Sequence, residues 1–304
     1  MKVINFMGRR KVAALFSLVL ILVSIGSLAV RQLNWGLDFT GGTLVEVNYS
    51  ETADLNAIRN IMETQGYSGA TVVSFGSDRD VLIRLPQGYA DSEGAVLLEK
   101  LQAEFTGEVE LRRIEFVGPQ VGDELREQGG LAMLLALGLV MLYIAFRFQF
   151  KFALGAVAAL IHDVIITLGF FSITGIEFDL TVLAAVLAVI GYSLNDTIVV
   201  FDRIRENFRK IRRAEPIEVI NISLSETLGR TLVTSLTTLL VLFALALFGG
   251  EMINGFAIAL IVGVTVGTYS SIYVAANVLL LLNVSKEDLM IPVKEGVEQD
   301  DLVP

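Results

Sequence analysis

The sequence has no cysteine and a single histidine in 304 residues. Disulfides and thiol chemistry are therefore excluded, and the redox compartment leaves no mark on the chain. One histidine and scattered carboxylates give no cluster with metal-ligand spacing, so neither a metal ion nor any other cofactor is implied. Lys and Arg form one dense cluster, and it falls between two apolar segments, where membrane topology accounts for it; a basic face for nucleic acid is absent. No nucleophile stands beside a base in the sequence, so catalysis ranks below transport and scaffolding. What the chain has in excess is apolar surface: 54% of its residues are hydrophobic and the mean hydropathy is +0.65, values of the membrane class. Charge is concentrated in one place. Between Arg31 and Glu127 stand 17 acidic and 8 basic residues, nearly the whole of the net charge of -10.

Crossing a bilayer takes about 20 apolar residues at about 1.5 Å each. Runs of that kind lie near 12–30, 129–146, 152–174, 179–201, 227–248 and 253–282. The first resembles a signal peptide, since it follows Arg9, Arg10 and Lys11, but its apolar core is longer than a signal sequence needs and it reads as an uncleaved anchor. Positive residues cluster in the N-terminus, in the loop with Arg147 and Lys151, and in the loop with Arg203, Arg205, Arg209, Lys210, Arg212 and Arg213. All three fall on one side, which predicts cytoplasmic termini. The predicted organisation is a cytoplasmic 1–11, a first span 12–30, an outer domain 31–128, five spans within 129–282 joined by cytoplasmic loops 147–151 and 202–225, and a cytoplasmic tail 283–304.

Between Thr43 and Pro119 the long apolar runs give way to short alternating ones bounded by Gly, Asp and Ser. Strands are predicted at 43–49, 70–75, 81–85 and 109–117, and helices at 54–65, with Asp54 to cap or charge its start, and at 91–105. The order β-α-β-β-α-β is that of a ferredoxin-like α+β unit.

Two stretches carry a family resemblance. Gly36-Leu37-Asp38-Phe39-Thr40-Gly41-Gly42-Thr43 follows the first span and Val117-Gly118-Pro119-Gln120-Val121-Gly122 precedes the second. The fourth span holds Gly191-Tyr192-Ser193-Leu194-Asn195-Asp196 and runs on into Val200-Phe201-Asp202-Arg203-Ile204-Arg205-Glu206-Asn207, with Arg230-Thr231-Leu232 in the fifth. The chain resembles the SecD/SecF family in these segments, and its fourth span is similar to the SecF branch. The resemblance implies an accessory subunit of protein export in the bacterial cytoplasmic (inner) membrane. It would work with SecD beside the SecYEG channel and its accessory membrane subunits, using the proton gradient to assist an unfolded secretory preprotein on the periplasmic side. It also implies that the six-helix bundle is one half of a resistance-nodulation-division-type core. An exporter of small molecules and a passive scaffold are the alternatives.

A carboxylate within a lipid-spanning helix is expensive and marks function. Asp196 lies about 9 Å inside the cytoplasmic edge at about 1.5 Å per residue, and Arg230 enters the next span to a similar depth, so the two can pair. Burial and the guanidinium pull the protonation of Asp196 in opposite senses, which makes a protonation switch the expected mechanism; a static ion pair is the plain alternative. Ser193 and Asn195 are supporting polar groups. Thr231, Thr234 and Ser235 put hydroxyls on one helix face that can hold water or pass protons. His162 and Asp163, deep in the third span, are candidate proton-coupling residues that can relay protons; a hydrogen-bonded structural role is the favoured reading for His162, and Asp163 is a relay member or an interhelical bond. Their side chains start about 100° apart and are expected to face different partners. Gly263, Gly267 and Ser271 form a small-residue ridge for close helix packing. Gly41-Gly42 is expected to supply a tight turn into the first strand.

Overall fold

The computed structural model describes residues 3–75, 77–86, 89, 93–105, 107–211, 213–285 and 288. The predicted start of the second outer helix at 91–92 and most of the tail lie outside them. The first span is α1 (Arg10–Val30), preceded by a 3-10 turn at Met7–Arg9. The chain then forms β1 (Asn34–Trp35), a single turn α2 (Leu37–Thr40), β2 (Gly42–Tyr49), α3 (Leu55–Thr64), β3 (Thr71–Phe75), β4 (Ser77–Leu85), α4 (Glu93–Glu104) and β5 (Val109–Val117). It returns to the bundle as α5 (Pro119–Arg147) and α6 (Phe150–Thr174), passes through β6 (Glu177–Phe178), and ends with α7 (Leu180–Lys210), α8 (Pro216–Phe248) and α9 (Glu251–Leu281). Among the described residues, six helices are long and apolar enough to cross a membrane.

Four strands of the outer domain form one antiparallel sheet in the order β3-β4-β2-β5. Alternate residues of β2 and β4 point to one face, where Val45, Val47, Val81, Ile83 and Leu85 pack against Ile58 and Met62 of α3 and Leu97 and Leu101 of α4. Asp54 caps α3, its carboxylate accepting from the backbone N–H groups of Asn56 and Ala57. The opposite sheet face looks toward the bundle, and Arg84 of β4 forms an ion pair with Glu177 of β6.

In the bundle, 61% of the most apolar stretch of α6 and 56% of that of α7 are buried, against 11% for α1 and α5. The centre is therefore α6, α7 and α9, and the outer helices leave apolar flanks for lipid or a neighbouring subunit. The segment expected as a loop at 202–225 is mostly helix. α7 continues to Lys210 and α8 begins at Pro216, leaving only 211–215 between them. Hydropathy marks the part of a helix that meets lipid, whereas the polar continuation of α7 is held by pairs three and four residues apart, Arg203 with Glu206 and Glu206 with Lys210.

Candidate functional site

Two carboxylates are buried among the long helices, and they are bonded in unlike ways. Asp163 of α6 is 0% exposed and fully bonded. Its Oδ1 lies 2.8 Å from Nδ1 of His162, and its Oδ2 accepts from the hydroxyl of Ser270 on α9 at 2.7 Å and from that of Ser193 on α7. The other ring nitrogen of His162 is 3.2 Å from Ser17 Oγ of α1, which is 3.0 Å from the Tyr269 hydroxyl; that hydroxyl donates to the carbonyl of Ala13 at 2.8 Å. One connected set of hydrogen bonds thus joins four helices.

The expectation that His162 and Asp163 face apart is corrected. An imidazole reaches far enough to close the 100° between them, and in an apolar bundle the adjacent carboxylate is the strongest partner on offer. Only the second nitrogen turns to another helix. Ser17, His162 and Asp163 stand in the order of a hydrolase triad, but Ser17 lies mid-helix, where the backbone N–H groups are spent on the helix and no oxyanion hole exists. The hydroxyl is also shared with Tyr269. These bonds brace α1, α6, α7 and α9 against one another.

Asp196, 33 residues on, is different. It is 4% exposed, and its Oδ2 is buried without a hydrogen-bond partner. Arg230, expected to pair with it, is exposed on the flank of α8, and no ion pair joins them. On that flank the long side chain can run along the helix toward the polar headgroup region, which spares the charge both the dry core and the lipid interior. Thr231, 2% exposed, also has a buried unpartnered hydroxyl. Asn195 is exposed.

The hydroxyl face of α8 is not one continuous polar ladder. Thr234 donates to the carbonyl of Arg230 at 3.0 Å, and Thr238 to that of Thr234 at 2.9 Å, so their hydrogens are spent on their own helix. Two of them bridge across: Ser235 Oγ lies 2.7 Å from the Thr268 hydroxyl of α9, and the Thr238 oxygen accepts from the Tyr192 hydroxyl of α7 at 3.4 Å.

The small ridge of α9 lies against α7. A Cβ on Gly263 would stand 2.1 Å from Val189, and one on Gly267 would stand 3.0 Å from Ser193. Ser271, 0% exposed, donates to the carbonyl of Thr268 at 3.0 Å.

The glycine segment near the first span does more than turn the chain. Gly41 and Gly42 have φ of +66° and +130°, and a side chain on Gly42 would strike the carbonyl of Leu85, so the entry to β2 requires glycine. Before it, β1 pairs in parallel with β6, and the Gly36 N–H donates to the carbonyl of Phe178 at 2.9 Å. Asp38 Oδ2 accepts from the backbone N–H of Leu180 at 3.0 Å. Phe39, 3% exposed, sits among the rings of Trp35 and Phe178. β1, β6 and α2 leave no mark in the sequence, because two-residue strands and a single helical turn carry no periodicity. Ser17, Tyr269 and Ser270 were also unforeseen; the one signal for Ser270 is its place one turn beyond Gly267.

Among the described residues, six helices of lipid-spanning length and a sheet domain inserted after the first of them define a multi-pass membrane protein. Residues 97–285 match the family model for the C-terminal part of the protein export membrane protein SecD/SecF, and residues 26–53 match that of the SecD/SecF GG motif. The protein translocase subunit SecF of Pseudomonas aeruginosa is 54% identical, over 98% of this chain and 97% of its own length. That of Vibrio alginolyticus is 55% identical over 99% and 97%. The crystal structure of SecDF, a translocon-associated membrane protein from Thermus thermophilus, is 38% identical with a TM-score of 0.85 over 93% of this chain. This chain spans 39% of the length of that one. A SecDF structure in a super-membrane-facing form matches with a TM-score of 0.71. The chain belongs to the SecD/SecF family, and it is an accessory subunit of the protein translocase, resident in the inner membrane.

Proposed function

We propose that this chain, together with SecD and beside the SecYEG channel, couples protonation of Asp196 to late steps of preprotein export. The observation that carries the reading is the contrast between two buried carboxylates. Asp163 has every oxygen engaged by donors from α6, α7 and α9, so it works as interhelical glue. Asp196 keeps a buried oxygen without a donor, and an acid of that kind can take up a proton without breaking an existing bond. A charge falling through 100 mV releases about 2.3 kcal/mol, enough to bias two packings of a helix bundle.

The termini face the cytoplasm, as the clusters of Lys and Arg require, and residues 31–128 form a periplasmic domain. The sheet order and its two covering helices support reading that domain as ferredoxin-like. It touches the emerging polypeptide, and the apolar flanks of α1 and α5 meet lipid or SecD. Two SecDF structures match this fold to different degrees, which fits a unit with more than one arrangement. The test replaces Asp196 with Asn in the assembled translocase. Late export is expected to lose its response to the proton gradient; a full response would refute the reading.

A further inference from the structure

Resting on the reading of Asp196 as the proton-coupling group, we infer that α7 carries its motion outward as a single rod and that Asp38 is the positioning residue fastening the rod's outer end to the periplasmic sheet.

The rod is continuous. α7 runs from Leu180 to Lys210 without a proline, a length of about 45 Å at about 1.5 Å per residue. Asp196 sits near its middle, about 24 Å from the outer end by the same spacing. The stretch is continuous helix, so an axial shift or rotation around Asp196 is carried along the rod toward Leu180.

At the outer end the fastening is specific. The first N–H groups of a helix have no partner within it and form its positive pole. Two carboxylates take them. Asp179, the helix's own cap, accepts from Val182 at 2.8 Å, and Asp38, 142 residues away in sequence, accepts from Leu180 at 3.0 Å. Asp38 belongs to the short α2, and four residues later Gly42 opens β2, the strand that lies between β4 and β5. The distance from the end of α7 to the centre of the sheet is thus one hydrogen bond and one tight turn.

The surroundings leave this joint little slack. A Cβ on Gly36 would stand 2.9 Å from Asp179, and one on Gly122 at the start of α5 would stand 2.9 Å from the Gly41 nitrogen. A second tie lies on the other side of the helix entry, where Arg84 of the sheet pairs with Glu177. The sheet is therefore gripped at two points by the residues that begin α7, and rotation of α7 would tilt it.

The test uses the full chain assembled with its membrane partners; because the chain lacks cysteine, engineered thiols are the only ones it carries. Asp38→Ala is expected to lower gradient-dependent export about tenfold, the effect of one charge-assisted hydrogen bond, while Asp38→Asn, which keeps an acceptor oxygen, stays near wild type. In R84C/E177C, a short bifunctional thiol reagent that ties the sheet to the entry of α7 is expected to leave export intact and to restore export in the Asp38→Ala background. Wild-type export by Asp38→Ala, or arrest of export by the tie with Asp38 intact, overturns the inference. If Asp38→Ala fails to accumulate, the tied chain with Asp38 intact still decides. Asp196→Asn is run alongside. Should it export normally the proton reading fails, whereas its failure together with normal export by Asp38→Ala sinks the fastening alone.

Discussion

Oδ2 of Asp163 on α6 accepts the hydroxyl hydrogen of Ser270 on α9 at 2.7 Å, at a point where neither residue is exposed at all. This bond, with those from Ser193 and His162, gives one carboxylate the task of holding three helices. Asp163→Ala should therefore leave several buried donors unpaired and destabilise the bundle by about 3 kcal/mol, the scale for breaking a buried charged network. Ser270→Ala should cost about 1 kcal/mol, as for a single hydrogen bond within a membrane. Detergent-titration unfolding of the purified chain measures both, and an Asp163→Ala protein as stable as wild type would remove the brace from the account.

Asp196→Asn should behave in the opposite way. Because its buried oxygen has no donor, the neutral amide loses little, and the unfolding midpoint should stay within about 1 kcal/mol of wild type, the usual range for a change that breaks no network. Export in response to the gradient should nevertheless fall. Stability and function thus separate between the two carboxylates, and a pair of unfolding curves beside a pair of export assays checks it.

Gly263→Ala should force α9 away from α7, since its methyl would fall 2.1 Å from a Val189 methyl. Overpacking of this kind costs about 1–3 kcal/mol. Val189→Ala in the same chain removes the two nearest atoms and should recover part of the loss, a non-additivity that a double-mutant cycle reads directly. Gly191→Ala, with no atom within 4 Å, meets no clash and should stabilise α7 by about 0.5–1 kcal/mol, the control for the clash at Gly263.

Tyr49, buried in the core of the outer domain, has its hydroxyl ionisation pushed up by burial from 10.0 to about 12. The folded state binds this proton more tightly than the unfolded one. The associated stability is therefore complete below pH 10, declines as pH rises from 10, and is gone above about 12. Tyr49→Phe should flatten that part of the alkaline unfolding profile while leaving neutral pH almost unchanged. Near-ultraviolet absorption of tyrosinate in the full chain, followed with unfolding, provides the measurement.

Much of this architecture is legible in the residues. Strands were expected at 43–49 and 109–117 and are found at Gly42–Tyr49 and Val109–Val117, because alternation with period two survives wherever one sheet face is covered. β4 starts four residues earlier than its apolar part at 81–85; the added Ser77, Asp78, Arg79 and Asp80 are polar on both faces and carry no alternation. The same blindness hid the polar ends of α7 and α8. At the candidate site the sequence singled out Asp196, Asp163 and His162 on the price of burying charge, yet it paired Asp196 with Arg230 by depth alone. Depth along a helix does not fix the direction in which a side chain points.

What the sequence determined by itself is what depends on local solvent preference: six segments that water rejects, one acidic stretch that lipid rejects, and a family signature. Only the tertiary structure decided which polar groups meet. Ser17, Ser193 and Ser270 come to His162 and Asp163 from three other helices, and Asp38 reaches Leu180 across 142 residues. Hydrogen bonds have a range of about 3 Å, so they are set by how helices dock and rotate against one another, and that docking follows from the shape of the whole packed surface rather than from any single stretch of chain.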